Sequence, residues 1–495
     1  MTARVATSGR DAVARSAVRQ LLLALAFSLG LIYLGHALVD PTKARLVLAA
    51  AVMAVLGGIG IRSPRALLYG LVVWLAFLGV VRRLAADLGP VPQSDPLLVI
   101  EALAIAILLI VAGARGAFSE LSGLAKSVLA LSFLILLAAF NPIGGSLTAG
   151  FGSLFLILVP MLAFWVARAL CDDRMLGTVL VLVGVLAILA ALYGLSQTFN
   201  GFPSWDANWI SASGYSALNV GGVLRAFGPF TSASEYAGFL GIGFVACLAF
   251  GLRLVRAPIA LAPLPLLAVA IFYESSRGII FTLTFTAALM VAAWRRLPIV
   301  ISVALAAAAF VSVPFVTRSV ASRTPLAPTG TGAILTAHQV QGLSSPFGSQ
   351  SSTLGAHLSL LGNGFRTALH NPVGLGIGSV TIAGAKYGGQ TSATEVDPGN
   401  AATALGFPGL IAYLVVAALA FFKAYSLAVH RRDGLSLAAL GILTVTSLQW
   451  LNGGQYAVAF LVWFVLGWVD RPGSAIRAGP ALSDASRARP PVDWG

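Results

Sequence analysis

Apolar runs of about 20 residues recur along almost the whole chain, and this recurrence constrains the fold more than any single motif. A helix that crosses lipid needs about 20 mostly apolar residues. Runs of that kind cover approximately 17–38, 44–61, 66–81, 97–113, 121–140, 151–170, 175–198, 233–251, 257–273, 278–294, 297–317, 402–427, 434–450 and 454–469. Only 10% of the 495 residues are charged and 58% are hydrophobic, whereas a soluble chain carries about 25% charged residues. The expected fold class is therefore all-α, a polytopic membrane protein of about fourteen transmembrane helices.

The net charge of +14 reads as a topology signal rather than as a nucleic-acid footprint. If the segment bearing Arg4, Arg10, Arg15 and Arg19 is cytoplasmic, alternate loops hold Arg62/Arg65, Arg115/Lys126, Arg168/Arg174, Arg253/Arg256, Arg295/Arg296 and Lys423/Arg431/Arg432, with Arg471, Arg477, Arg487 and Arg489 after the last run. That arrangement places 21 of the 31 basic residues on one side and 10 on the other, the bias of the positive-inside rule. Both termini are expected inside. The first run, 17–38, is too long for a signal-peptide core and is expected to stay as a helix. Cys171 falls in a cytoplasmic loop and Cys247 inside a span, so no exported disulfide is expected.

The expected organisation is a cytoplasmic segment (1–16), a bundle (17–317) interrupted by an external loop (199–232), a large external loop (318–401), three closing spans (402–469) and a disordered cytoplasmic tail (470–495). The first external loop carries Trp205, Trp209 and Tyr215 among glycines and prolines, either as interfacial aromatics or as a sugar-stacking surface. Within the second, the Ser/Thr/Gly/Pro-rich stretch 319–352 has little with which to bury a core and is expected to be mobile. Apolar residues at helical spacing from Leu354 to Leu369, stopped by Asn371 and Pro372, predict a short amphipathic helix and then a glycine-rich turn.

Ionisable residues collect at the external side. Arg225 precedes the eighth run and Arg277 sits in the tight turn "YESSRG" between the ninth and tenth. A guanidinium kept in or near lipid faces a cavity or a partner, or snorkels to the interface. The small residues Gly228, Thr231 and Ser232 beside Arg225, and Ser275, Ser276 and Gly278 beside Arg277, suit an anionic ligand. Glu395 and Asp397 in "TEVDPGN" are candidates for a general base or an anchor for sugar hydroxyls, and His357 and His370 are alternative bases. No further carboxylates cluster there, so no metal site is expected. Asp95 and Pro96 read as a helix cap and first-turn proline, and Glu101 should face the bundle interior, where a proton path is the alternative reading. No phosphate-binding loop, dinucleotide fingerprint or zinc spacing occurs, and no cofactor is expected.

Four segments, in order, carry a resemblance: "RAFGPFTSASEYAGFL" (225–240), "SSRG" (275–278), "NPVGLGIGS" (371–379) and "TEVDPGNAATALGFPGLIAYL" (394–414). Together they resemble the O-antigen ligase and polysaccharide polymerase superfamily over roughly residues 200–415. The resemblance implies a GT-C-like glycosyltransferase in the bacterial inner membrane, its site facing outward, whose partners are an undecaprenyl-pyrophosphate-linked glycan donor, a glycan acceptor, membrane lipids and other polysaccharide assembly and export proteins. It implies that Arg225 and Arg277 grip the donor pyrophosphate; in such an enzyme Trp205, Trp209 and Tyr215 of the first external loop, with Arg366 of the second, are the residues expected to contact glycan. Ligases of the superfamily carry a histidine where this chain has Glu395, which favours a polymerase that extends an exopolysaccharide or O-antigen, with Glu395 or Asp397, or else His357 or His370, as base. A ligase and a lipid-linked sugar transporter are the alternatives.

Overall fold

The structure, a computed structural model, describes residues 43–86, 95–144, 146–213, 219–220, 222–253, 257–322, 330–346, 354–387 and 396–472. The expected span 17–38 lies outside the described residues. Each of the other apolar runs coincides with helix: α1 Ala44–Arg62, α2 Pro64–Leu84, α3 Val99–Ala114, α4 Gly123–Ala138, α5 Leu147–Leu170 and α6 Asp173–Asn200 in the first half. A short α7 (Ser204–Ser213) and a two-residue β1–β2 hairpin (Asn219–Val220, Val223–Leu224) lead to α8 (Ala233–Gly251), α9 (Ala257–Leu261), α10 (Leu264–Glu274), α11 (Arg277–Trp294) and α12 (Ile299–Ala321). Helices α13 (Thr331–Ser344), α14 (Leu354–His370) and α15 (Ile382–Lys386) precede α16 (Asp397–Arg431), α17 (Gly434–Val445) and α18 (Tyr456–Val469). Among the described residues nine helices are long and apolar enough to cross a membrane, and α4, α17 and α18 are shorter apolar helices. Side chains such as Ile110 (75% exposed) and Val300 (76%) point away from the bundle, as lipid contact requires.

Helix starts follow local chemistry. Ser63 accepts a hydrogen bond from the Ala66 N–H ahead of Pro64 at the first position of α2, and Asp172 and Ser232 cap α6 and α8 in the same way. Asp95 caps the 3-10 turn Pro96–Leu98 before α3, as its sequence context indicates.

Segment 318–401 differs from expectation in one place and agrees in another. Helix α14 covers the predicted amphipathic stretch. The segment expected to be mobile instead contains α13, which buries Leu335, Gln339, Gly342 and Leu343. The burial stripe is real, but two of its four members are Gln and Gly, which hides the period.

The "NPVGLGIGS" and "ALGFPGL" segments fit together across a break in α16. Pro408 cannot continue the backbone ladder, and Gly406 adopts φ 65°, ψ −157° inside the 35-residue helix. The freed groups are met by the glycine-rich turn: Leu375 N–H donates to Thr403 O (2.8 Å), Gly376 N–H to Ala404 O (2.9 Å), and Phe407 N–H to Pro372 O (3.0 Å). Irregular backbone at a membrane helix survives only where protein or a cavity satisfies it.

Polar contacts gather the loops at two opposite ends. At one end Arg65 pairs with Asp172 (2.6 Å), Arg168 and Lys423 with Asp470, and Arg431 and Arg471 with Asp173. The other end holds Arg45, Arg82 and Asp95, and the residues described next. Arg45 and Arg62 mark the two ends of α1, which at 1.5 Å per residue lie about 25 Å apart.

Candidate anion-binding site

The segment carrying Arg225 is fixed from beneath. Arg83, with no exposed surface, pairs with Asp206 at 2.6 Å, donates to Gly228 O (2.8 Å) and to Phe230 O, and lies 4.8 Å from the centre of the Phe227 ring. Gln197 Oε1 accepts from the N–H groups of Phe227 (3.2 Å) and Gly228 (2.8 Å), while its Nε2 donates to Asp206 (2.7 Å). These contacts hold residues 226–230 from two helices, so Arg225 leaves a rigid base.

Arg225 reaches Glu274, the last residue of α10, at 3.6 Å. Glu274 is fully buried, and its second oxygen accepts the Ser276 N–H at 2.9 Å. Between them Ser275 adopts φ 68°, a left-handed conformation that costs a non-glycine residue on the order of 1–2 kcal/mol. That turn delivers Arg277 as the first residue of α11. One carboxylate thus organises both arginines, Arg225 by charge and Arg277 through the turn.

Helix α13 closes against Arg277. The Arg277 Nη2 lies 2.7 Å from His338 Nε2. A guanidinium only donates hydrogen bonds, so the imidazole accepts and is neutral. Burial, then the charges of Arg277 and Arg225, lower the His338 pKa to about 4. Both guanidinium charges therefore act on the ring, and Arg277 touches it. At Gly342, a turn further along α13, an added Cβ would sit 1.8 Å from Arg277 Nε, so the helix approaches closely only because no side chain intervenes. Among the described residues, Arg225 Nε, Ser275 Oγ and both amide atoms of the fully buried Gln339 have no hydrogen-bond partner. Two guanidiniums, a single carboxylate and a neutral imidazole leave a positive excess in a half-buried place, which suits a bidentate anion such as a phosphate.

The other expected site residues are distributed around this centre. Asp397 begins α16 with no exposed surface, and its Oδ2 accepts from Tyr413 OH (3.0 Å), Leu451 N–H (3.0 Å) and Trp450 N–H. Those bonds make it an anchor between α16 and the turn before α18. Trp209 is 4% exposed, with the Arg82 guanidinium 5.1 Å from its ring centre, so it is a packing residue rather than an open sugar platform. Trp205 is half-buried and donates to Tyr193 OH (3.0 Å). Arg366 and His370 are exposed on α14, where His370 Nδ1 engages the Arg366 carbonyl (2.8 Å). His357 lies on α14, and its side chain, like Glu395 and Tyr215, falls outside the described residues. Glu101 faces the bundle interior as expected, at 3% exposure. Glu235 and Glu274 are buried as well, so Glu101 is not the lone deep acid. Among the described residues no three His, Cys, Asp or Glu side chains converge on a metal position.

His338, Gln339 and Gly342 escape the sequence reading because they lie in the stretch expected to be mobile. The spacing of Leu335 and Leu343, eight residues apart, is the one periodic signal there. No family model matches the chain, and a search of curated proteins finds no similar sequence.

Proposed function

We propose that the chain is a membrane-embedded glycosyltransferase that polymerises a bacterial surface polysaccharide from an undecaprenyl-pyrophosphate-linked glycan. The observation that carries this reading is the joint placement of Arg225 and Arg277 around Glu274 and His338 at one end of an apolar bundle. Guanidinium forks match phosphate oxygens, and each charged hydrogen bond contributes about 1.5–3 kcal/mol. The prenyl chain of such a donor stays in lipid while its diphosphate reaches this end.

In the proposed reaction the acceptor hydroxyl oxygen attacks the anomeric carbon as the bond from that carbon to the pyrophosphate oxygen breaks. The leaving diphosphate takes the electron pair, and its growing charge is stabilised by the two arginines. The hydroxyl proton passes to a carboxylate. Asp397 is already held by three donors, so Glu395, two residues before it, is the base we assign. Back-side attack inverts the anomeric centre. The fold is GT-C-like in this reading. The end with Asp470 and Asp173 and their basic partners faces the cytoplasm, and the arginine site faces outward.

A transporter of lipid-linked sugar is the second reading, favoured by the buried Glu101, whose Oε1 has no hydrogen-bond partner among the described residues. Single-turnover assay of the purified protein in nanodiscs with a lipid-linked repeat unit separates the two. Polymer formed by wild type and lost in Arg277→Ala supports glycosyl transfer. Movement of the unit across the bilayer without polymer supports transport and overturns the proposal.

A further inference from the structure

A second cluster of arginines lies at the opposite end of the molecule from Arg225 and Arg277. Arg62, Arg65 and Arg115 line a cavity of about 230 Å³ together with Pro64, Leu170 and Met175, where the α1–α2 turn meets the end of α3 and the α5–α6 junction. Arg65 is paired with Asp172 at 2.6 Å. Arg62 and Arg115 are exposed and have no ion-pair partner among the described residues. An uncompensated pair of guanidiniums beside an apolar wall fits an anion attached to something apolar.

The same hairpin supplies the apolar part. Ala51 and Val55 of α1 with Gly70, Val73 and Trp74 of α2 line a groove of about 310 Å³, and Val55 is 63% exposed within it. At 100° per residue, Ala51, Val55 and Arg62 fall within about 40° of one line along α1. The groove and the cationic cavity thus share one stripe of the helix. Seven residues at 1.5 Å each separate Val55 from Arg62 by about 10 Å, a span that a glycerophospholipid bridges between its phosphate and the upper part of an acyl chain.

We propose that the α1–α2 hairpin binds a phospholipid with an anionic headgroup, the phosphate between Arg62 and Arg115 and an acyl chain in the groove beside Val55. Basic pockets between membrane helices on the side facing anionic lipid favour such headgroups, by about 1 kcal/mol per basic residue. The inference rests on the membrane-spanning reading of the helices and is independent of the glycosyl-transfer reaction. The competing occupant of the groove is the chain's own segment 1–42.

The test is native mass spectrometry of the full chain released from micelles doped with phosphatidylglycerol and phosphatidylethanolamine. Wild type should retain phosphatidylglycerol preferentially. Arg62→Gln/Arg115→Gln should lower that retention about thirtyfold, by the loss of two favourable charges, with a smaller fall for phosphatidylethanolamine, whose phosphate charge is balanced by its own amine. Val55→Trp fills the groove with every charge intact and should lower it too, which covers the case in which the double variant fails to fold. Equal retention by wild type and both variants overturns the proposal, as expected if segment 1–42 fills the groove. Displacement of the lipid by inorganic phosphate with no effect of Val55→Trp overturns it in favour of a small-anion site.

Discussion

Arg277 and His338, 61 residues apart in the chain, meet through a 2.7 Å contact in which the imidazole can only accept. The contact ties the turn between α10 and α11 to α13, and it puts a titratable ring against a fixed positive charge.

Protonation of His338 should therefore break the contact. Its pKa is about 4 in the folded protein against 6.5 for the free side chain, so the unfolded chain binds the extra proton first. The stability this ring contributes is present above pH 6.5 and is lost as pH falls through 6.5 toward 4. A diphosphate bound between the arginines would reverse the electrostatics and raise the pKa. Carbon-13 histidine NMR should show a neutral His338 at pH 5.5 without ligand, and a rise of about one unit or more when a short-chain prenyl pyrophosphate is added.

Gly342→Ala should disable the site while sparing the fold. The new Cβ would lie 1.8 Å from Arg277 Nε, so either the guanidinium or α13 must move. With one or two charged hydrogen bonds at about 1.5–3 kcal/mol each, turnover of lipid-linked donor should fall at least about tenfold. Thermal unfolding should change by only a few degrees, because alanine otherwise favours helix.

Arg83→Ala should act through stability. It leaves Asp206 buried without its cation and removes the donor to Gly228 O, and breaking a buried pair costs about 3–5 kcal/mol. A fluorescence-monitored melting curve in detergent should show a clear loss of Tm. Arg83→Met/Asp206→Leu, which removes both charges, should recover part of it.

Gly406→Ala addresses the broken helix. A Cβ there would meet Pro372 O at 1.9 Å and would have to keep φ at 65°, a conformation that costs non-glycine residues on the order of 1–3 kcal/mol. The turn at 371–376 should detach, and limited proteolysis should cut near it faster than in wild type.

The helices were legible in the sequence because lipid imposes a length and an apolar composition on each, which is why the runs at 44–61 and 233–251 match α1 and α8 almost residue for residue. Arg225 and Arg277 were legible as arginines among small residues beside apolar runs. Their organiser was not. Glu274 reads as one more external acid until the left-handed Ser275 shows that it holds the turn. Trp209 fails as a sugar platform for a related reason, since composition cannot tell an interfacial indole from one covered by Arg82. His338 was hidden because α13 buries Gln339 and Gly342 on its inner face and so breaks the hydrophobic period.

Whether Arg225 and Arg277 hold a pyrophosphate is decided by the affinity of the purified protein in nanodiscs for an undecaprenyl pyrophosphate probe. It should be measured for wild type, Arg225→Ala, Arg277→Ala and the exposed-site control Arg366→Ala. Each of the first two variants should lose about tenfold or more in affinity, and the control should change little. Equal affinity across all four proteins would contradict this, because the two arginines would then hold no pyrophosphate.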